Sequence, residues 1–415
     1  MRSTSTTVTT TNPMGRCFVS YRRVRLPEVE RLIRALHEFG VPTWQDLTDL
    51  NEQPLEASLR RELVDASLAS GVLWVTPEVA DSPVILNIEV PALAERGKDD
   101  ELFSLVPVAA GGLSYAAAAA AARSDISLVD FSTWNIVRLE GDPATDADIQ
   151  KVATRVLNRR VAAIHKHLPA GDPLIVDVYT RTPAAHHPDA TLTIDFTHLF
   201  NGRSAKPGGW DKVTRALRTV REALGLRAPG RPVQFRGLVG LPAAVALGTT
   251  MAATVAMPTA WIQRRPGDED SLYGLAAKPT PSGFRVDLVD SEYSAVDLAV
   301  LVSASENTVP AFQATEGVGP FRGIIQVTPP DGHPHQFASP GEAVDLAQTI
   351  VREIRTARSR YGKVDAVHLF IAGPAGLAFL IGQTLNTLGR VVTYEHLSSS
   401  STGEYVEAVV LTPSS

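Results

Sequence analysis

The stretch VLWVTPEVADSPVILNIEVPAL, Val72–Leu93, decides how the front of the chain is built. Its first five residues, Val72 to Thr76, are an uninterrupted apolar run, the pattern of a parallel strand covered on both faces. Ser82 and Pro83 then read as the N-cap and first position of a helix, because proline has no N–H to lose there. Glu89 falls two turns into that helix, just past a strand's C-terminal end, where open α/β sheets bind ligands. A solvated helical glutamate is the plain alternative.

On either side of this stretch, strands and helices alternate. Cys17 to Tyr21 (CFVSY) is a short apolar strand ending in a polar turn at Arg22 and Arg23. Pro27 opens a helix with Val29, Leu32, Ile33, Leu36 and Phe39 on one face, and Gly40 closes it. Val41 to Trp44 is a second strand, Asp46 to Pro54 a polar loop, and Leu55 to Leu68 a helix with Leu55, Leu59, Leu63 and Val64 inward. A further strand spans Leu102 to Val108. A Gly turn and a short alanine helix follow, the stretch Phe131 to Leu139 returns towards the sheet, and Asp146 to His167 is one amphipathic helix. Short connections between alternating elements indicate an α/β fold with a doubly wound parallel sheet.

With 415 residues the chain has room for several cores. A net charge of −6 argues against a protein that coats duplex nucleic acid, although a small anion needs only a local basic pocket. Cys17 is the only cysteine, so an intrachain disulfide and a Cys-based zinc site are excluded, which fits a cytoplasmic location. Residues 1–14 are Ser/Thr-rich and read as a disordered tail, neither signal peptide nor anchor. Two uncharged stretches, Gly237 to Ile262 and Leu369 to Gly389, read as buried strand-turn-helix units and not as membrane spans, because Gly, Ala, Thr and Pro weaken their apolar drive.

The residues from about Arg16 to His167 resemble the Toll/interleukin-1 receptor (TIR) family. The carriers are FVSYRR at Phe18 to Arg23, the helix ending in Gly40, VPTWQD ending at Asp46, and Ser82 with Glu89 seven residues on. Ile85 stands where many relatives have tryptophan, and Asn51 replaces a loop glycine. The resemblance implies a flavodoxin-like TIR domain over 15–167, with Glu89 catalytic in NAD+ cleavage and Phe18, Ser20, Tyr21, Arg22, Trp44 and Asp46 around the substrate. One carboxylate suffices chemically, because nicotinamide leaves as a neutral base and needs no general acid. Asp46 reads equally as a helix cap, and Arg22 and Arg23 as pyrophosphate partners or solvated turn cations.

Beyond the linker Leu168 to Pro173 the chain carries a weak internal duplication. LIVDVY (Leu174 to Tyr179) corresponds to LAVLV (Leu298 to Val302), and TRALRTVREAL (Thr214 to Leu224) to AQTIVREIRTA (Ala347 to Ala357). VQFRGLVGLPAAVALG (Val233 to Gly248) corresponds to VHLFIAGPAGLAFLIG (Val367 to Gly382). Each half, about 173–290 and 291–415, is thus expected to be a small Rossmann-like unit whose Gly/Pro turn faces an anion with a helix N-terminus.

These halves resemble the SAVED family, a fusion of two CARF-like units that senses cyclic oligonucleotides, and TIR followed by SAVED resembles effectors of cyclic-oligonucleotide-based antiphage signalling (CBASS). The resemblance implies a ligand-activated NADase. Cyclic oligoadenylate, expected to be the tri-adenylate, would be the activator, NAD+ the substrate, and nicotinamide with ADP-ribose or its cyclic form the products. It further implies self-association, into a head-to-tail oligomer or filament where the contact does not close, and no resident cofactor; no metal, duplex nucleic acid or membrane partner is expected from the residues themselves. Candidate ligand residues are Thr180, Arg181 and Thr182 after the first strand of one half, and Ser303, Ser305 and Asn307 after that of the other. The turns at Gly240 and at Gly373 and Pro374 face the same crevice. Trp261, Tyr394 and His396 are candidates for base stacking, Lys206, Lys212 and Arg264 for phosphate. The His186-His187 and His333/His335 pairs lack ligand-spaced partners and read as loop histidines. A non-enzymatic TIR scaffold and a nucleoside deoxyribosyltransferase-like enzyme are the rival functions.

Overall fold

The computed structural model describes residues 10–44, 55–123, 131–182, 185, 187–252, 257–264, 269–397 and 403–412. The chain forms two compact units. One comprises Met1–Asp172 with His186–Ile194 and Glu222–Pro229, the other Pro173–Ala185, Asp195–Arg221 and Gly230–Ser415. Among the described residues no helix is long and apolar enough to cross a membrane.

In the front unit β1 (Arg16–Ser20), β2 (Thr43–Trp44), β3 (Leu68–Val75), β4 (Ser104–Ala109) and β5 (Val137–Arg138) form one sheet in the order β2-β1-β3-β4-β5. Every pairing is parallel, as in the doubly wound class. All eight residues of β3 are buried, which is why its sequence runs apolar without alternation. Between strands lie α1 (Leu26–Glu38), α2 (Leu55–Val64), α3 (Val90–Asp99) and α4 (Tyr115–Ala121), and α5 (Asp146–His167) closes the unit. Gly40, at φ +80, ends the first helical turn-off as a left-handed residue only glycine adopts cheaply.

Three expectations change. Thr11 and Pro13 are buried, and Thr11 N–H donates to Asp100 (3.0 Å), so residues 11–14 are packed against the unit and not part of a tail. Val64 is 62% exposed because α2 ends there and the chain turns towards β3, which starts four residues earlier than the apolar run suggested. Residues 85–89 form a π turn within the helix that follows β3.

In the rear unit β6 (Leu174–Tyr179), β7 (Val233–Leu238) and β8 (Thr259–Gln263) run parallel in the order β8-β7-β6, with β9 (Ser271–Tyr273) antiparallel outside β8. The second half has β11 (Leu298–Ser303), β13 (Ala366–Ala372) and β14 (Arg390–Leu397) parallel in the order β14-β13-β11, with β15 (Glu404–Leu411) antiparallel outside β14. Beyond β11 this second sheet adds β12 (Gly323–Thr328) and the antiparallel edge β10 (Arg285–Asp290). The two halves are therefore the same fold, as the duplicated sequence indicates.

Helix α6 (Gly209–Arg227) precedes β7 and α8 (Pro340–Tyr361) precedes β13. After those strands come α7 (Leu241–Thr250) and α9 (Ala375–Thr384), the second parts of the uncharged stretches. α7 and α9 pack backbone to backbone. A Cβ on Gly248 would lie 2.1 Å from the Phe379 carbonyl oxygen, and one on Gly382 2.3 Å from that of Val245. The contact is reciprocal, since 248 and 245 become 382 and 379 under the same shift of 134 that takes Val233 to Val367.

Candidate functional site

In the front unit the parallel order sets the C-terminal ends of β1 and β3 side by side, with Ser20 opposite Leu73. After β3 the chain passes Thr76 and a 3-10 turn, and the helix starts at Pro83. Ser82 Oγ accepts from Ile85 N–H (3.5 Å), so the expected N-cap is in place. Glu89 ends the π turn and is 4% exposed. Single π turns add a residue to a helix and recur at functional sites because they re-aim a side chain.

Ser20 is buried, and its Oγ has no hydrogen-bond partner among the described residues. Tyr21 and Arg22 are half-buried just beyond the strand. Phe18 and Trp44 do not line an opening. They are 1% and 2% exposed, opposite each other in register, with ring centroids 5.2 Å apart inside the apolar core. Asp46 lies outside the described residues, as does the loop it opens. Sequence reading passed over Arg25, which pairs with Glu28 (3.2 Å), Glu78 (3.0 Å) and Asp142 (2.7 Å). Its partners lie up to 117 residues away, so no local pattern announces it.

In the rear unit the turns at the helix starts are already engaged. Gly240 N–H donates to Thr180 Oγ1 (2.8 Å), and Gly376 N–H to Gln263 Oε1 (3.1 Å). Pro242 and Pro374 remove further donors. The open nests of N–H groups expected at Gly240 and Gly373 are thus partly filled from within. Ser303 is likewise committed, accepting from Thr308 N–H (3.1 Å) and bonded to its hydroxyl (2.8 Å). Ser305 and Asn307 are exposed, as are Thr182, Lys212 and Arg264.

Two stacking candidates are core residues instead. Trp261 is 2% exposed and packs on Phe379 (6.3 Å) from the other half. Tyr394 is 6% exposed, stacks on Phe370 (4.2 Å), and its hydroxyl meets His368 Nδ1 (2.7 Å). Burial moves the Tyr394 phenol up to about 12. Both rings spend their faces on the sheet packing, so neither can stack on a base without unfolding it. His396 remains half-buried, its ring 5.2 Å from that of Tyr405.

Arg181 Nη2 reaches Glu395 Oε1 (2.5 Å), joining the end of β6 in one half to β14 in the other. Glu395 is 4% exposed. Burial raises its carboxyl above the usual range, with Arg181 pulling the other way. A Cβ on Gly240 would meet Glu395 Oε2 at 2.5 Å, so a side chain there would force this carboxylate to shift. Glu395 also lines a cavity of about 430 Å³ with Arg203, Lys206, Trp210 and Glu407. Lys206, one of the expected phosphate partners, is exposed there and donates to the His198 carbonyl (2.7 Å). Among the described residues no cluster of three His, Cys, Asp or Glu could hold a metal. His335 pairs with Glu342 (3.4 Å).

Residues 216–411 match the family model described as SAVED, "SMODS-associated and fused to various effectors sensor domain". No curated protein matches the chain. The Acinetobacter baumannii Cap4 SAVED/CARF-domain containing receptor, solved with the cyclic trinucleotide 3'3'3'-cAAA, is similar with a TM-score of 0.50 at 12% identity, covering 88% of this chain and 86% of that one. The Moraxella osloensis Cap4 receptor gives 0.44 at 13% identity, covering 94% of this chain and all (100%) of that one. At 12% identity the first likeness is one of fold. Residues 216–411 thus match the SAVED family model, and the duplicated α/β architecture of this part of the chain accords with that match.

Proposed function

We propose that the rear unit binds a cyclic oligoadenylate, a tri-adenylate in the first instance, and that binding switches on cleavage of NAD+ by the front unit, as in a TIR-SAVED effector of CBASS antiphage defence. The observation that carries the sensor reading is the pair of equivalent halves, the second and much of the first covered by the SAVED match, each ending its parallel strands beside the other's helix start. A ligand with repeated phosphates suits two related half-sites, and the Cap4 receptor of similar fold was solved with such a ring.

The enzymatic reading is supported by the all-parallel front sheet and by a buried carboxylate, Glu89, on a π turn beyond its central strand. Cleavage breaks the bond between the ribose anomeric carbon and the pyridinium nitrogen. The electron pair leaves with nicotinamide, water adds to the sugar, and one proton is released. In this reading the Glu89 carboxylate stabilises the cationic sugar electrostatically and takes the proton from the incoming water. Arg22, half-buried just beyond β1, is the proposed partner of the pyrophosphate.

The test is to follow nicotinamide release from NAD+ with a panel of cyclic oligonucleotides, for the wild type and Glu89→Gln. Release is expected with a cyclic oligoadenylate and about 10²–10³-fold slower in the variant, the usual cost of removing one transition-state electrostatic contact. Equal rates in both proteins would make the front unit's carboxylate irrelevant. No release from either, with ligand bound, would favour a non-enzymatic scaffold.

A further inference from the structure

The strand registers identify which residues of the two halves are equivalent. Leu174 lies opposite Val233, and Leu298 opposite Val367, so Arg181 and Ser305, each seven residues on, occupy one position. Val233 lies opposite Thr259 and Val367 opposite Val391, so Gln263 and Glu395, each four residues on, occupy another. Both members of the second pair reach into the other half. Gln263 Oε1 accepts from Gly376 N–H at the start of α9, and Glu395 Oε2 sits against Gly240 at the start of α7.

The pseudosymmetry is broken in one respect. At Gln263 the acceptor is neutral and its counterpart position across the axis is Ser305, whereas Glu395 is charged and faces Arg181. The carboxylate is almost fully buried, while the Arg181 side chain is 30% exposed. Only Nη2 is engaged with Glu395. Nε is shielded from solvent with no hydrogen-bond partner among the described residues, so the exposed part of the side chain is the rest of a fork that carries five donors in rigid geometry. Fixing one end of that fork on a buried acid fixes the direction of the rest.

We infer that Glu395 is a positioning residue for ligand recognition: from the second half it orients Arg181 of the first half, so that the remaining guanidinium donors meet a phosphodiester of the cyclic ligand. This rests on the reading that the rear unit binds a cyclic oligonucleotide. Because the acid and the arginine come from different halves, the phosphate contact exists only when the halves keep their native register. Gly240 is the space that allows it, and a side chain there would push the carboxylate off the arginine.

A buried ion pair confuses binding with folding, because removing one partner strands the other charge. The test therefore compares four chains, wild type, Glu395→Gln, Arg181→Lys and the double variant Arg181→Gln with Glu395→Gln, for affinity to 3'3'3'-cAAA by calorimetry and for melting temperature. Glu395→Gln is expected to weaken binding about tenfold. Arg181→Lys keeps the charge but not the fork, so it should melt like wild type and still bind at least tenfold more weakly. The double variant removes both charges, so it should regain stability without regaining affinity. Wild-type affinity in the double variant, or in Glu395→Gln, overturns the assignment and makes the pair purely structural. No binding of 3'3'3'-cAAA by the wild type overturns the sensor reading for this ring and the assignment with it.

Discussion

At Asp148 a single carboxylate organises the loop that enters the last helix of the front unit. It accepts from the N–H groups of Glu140 (3.0 Å), Gly141 (3.1 Å) and Thr145 (3.0 Å) and from the Thr145 hydroxyl (2.8 Å), while its own N–H donates to Thr145 Oγ1 (3.1 Å). This is a capping box enlarged by two loop donors. Burial alone would raise its pKa, but these donors outweigh it and leave the carboxyl below the usual range. A depressed native value means that the stabilisation is fully present above the unfolded value, about 3.9, and is lost as pH falls through the native one. Asp148→Asn should therefore cost about 2–3 kcal/mol near neutrality, where charged hydrogen bonds are lost. The difference from wild type should shrink below about pH 4. Urea melts across pH check both points, and a constant difference down to strongly acid pH would remove the charge from the explanation.

The contact between α7 and α9 shows what an element needs beyond propensity. Gly248→Ala improves intrinsic helix propensity by about 1 kcal/mol, yet its Cβ would meet the Phe379 carbonyl at 2.1 Å. Backbone cannot step aside as a side chain can, so a net loss of about 1–3 kcal/mol is expected, with the same sign for Gly382→Ala. Gly225→Ala in α6, where a Cβ meets nothing within 4 Å, should instead be neutral or stabilising. Thermal melts of the three variants decide it. The sequence shows the shift of 134 between the two glycines, but not that they touch, because each looks like an ordinary small residue in an apolar helix.

The same limit explains the uneven legibility elsewhere. Asp146 to His167 is readable to the residue because Thr145 caps it and its apolar period is regular. Glu89 and its Ser82 cap follow from local signals, whereas the π turn around Glu89 does not, since it depends on how the helix packs on the sheet. Trp261 and Tyr394 look like stacking residues because aromatic side chains at strand ends serve both roles. Which role wins is decided by Phe379 and Phe370, themselves 118 and 24 residues away along the chain. Arg181 and Glu395 are separated by 214 positions and fall in stretches with no common motif, so only the register of two sheets makes them partners.

For the molecule as a whole, the proposed function couples ligand binding by the rear unit to NAD+ cleavage by the front unit, and the stoichiometry of that coupling can be measured. If the proposed NAD+ cleavage requires copies of the chain to come together, the active species is an assembly, and its fraction is set by mass action. At saturating cyclic tri-adenylate the rate of nicotinamide release per chain should then climb with protein concentration and level off once assembly is complete. Light scattering should rise over the same range, and Glu89→Gln should assemble in parallel while releasing little nicotinamide. That variant separates the two steps, since the carboxylate it removes is buried in the front unit while the proposed ligand site lies in the rear unit. A rate per chain that stays flat from nanomolar to micromolar protein, with scattering unchanged and nicotinamide still appearing, means that one chain suffices. Activation would then have to run within the single polypeptide, from the Arg181 and Glu395 contact to the helix bearing Glu89.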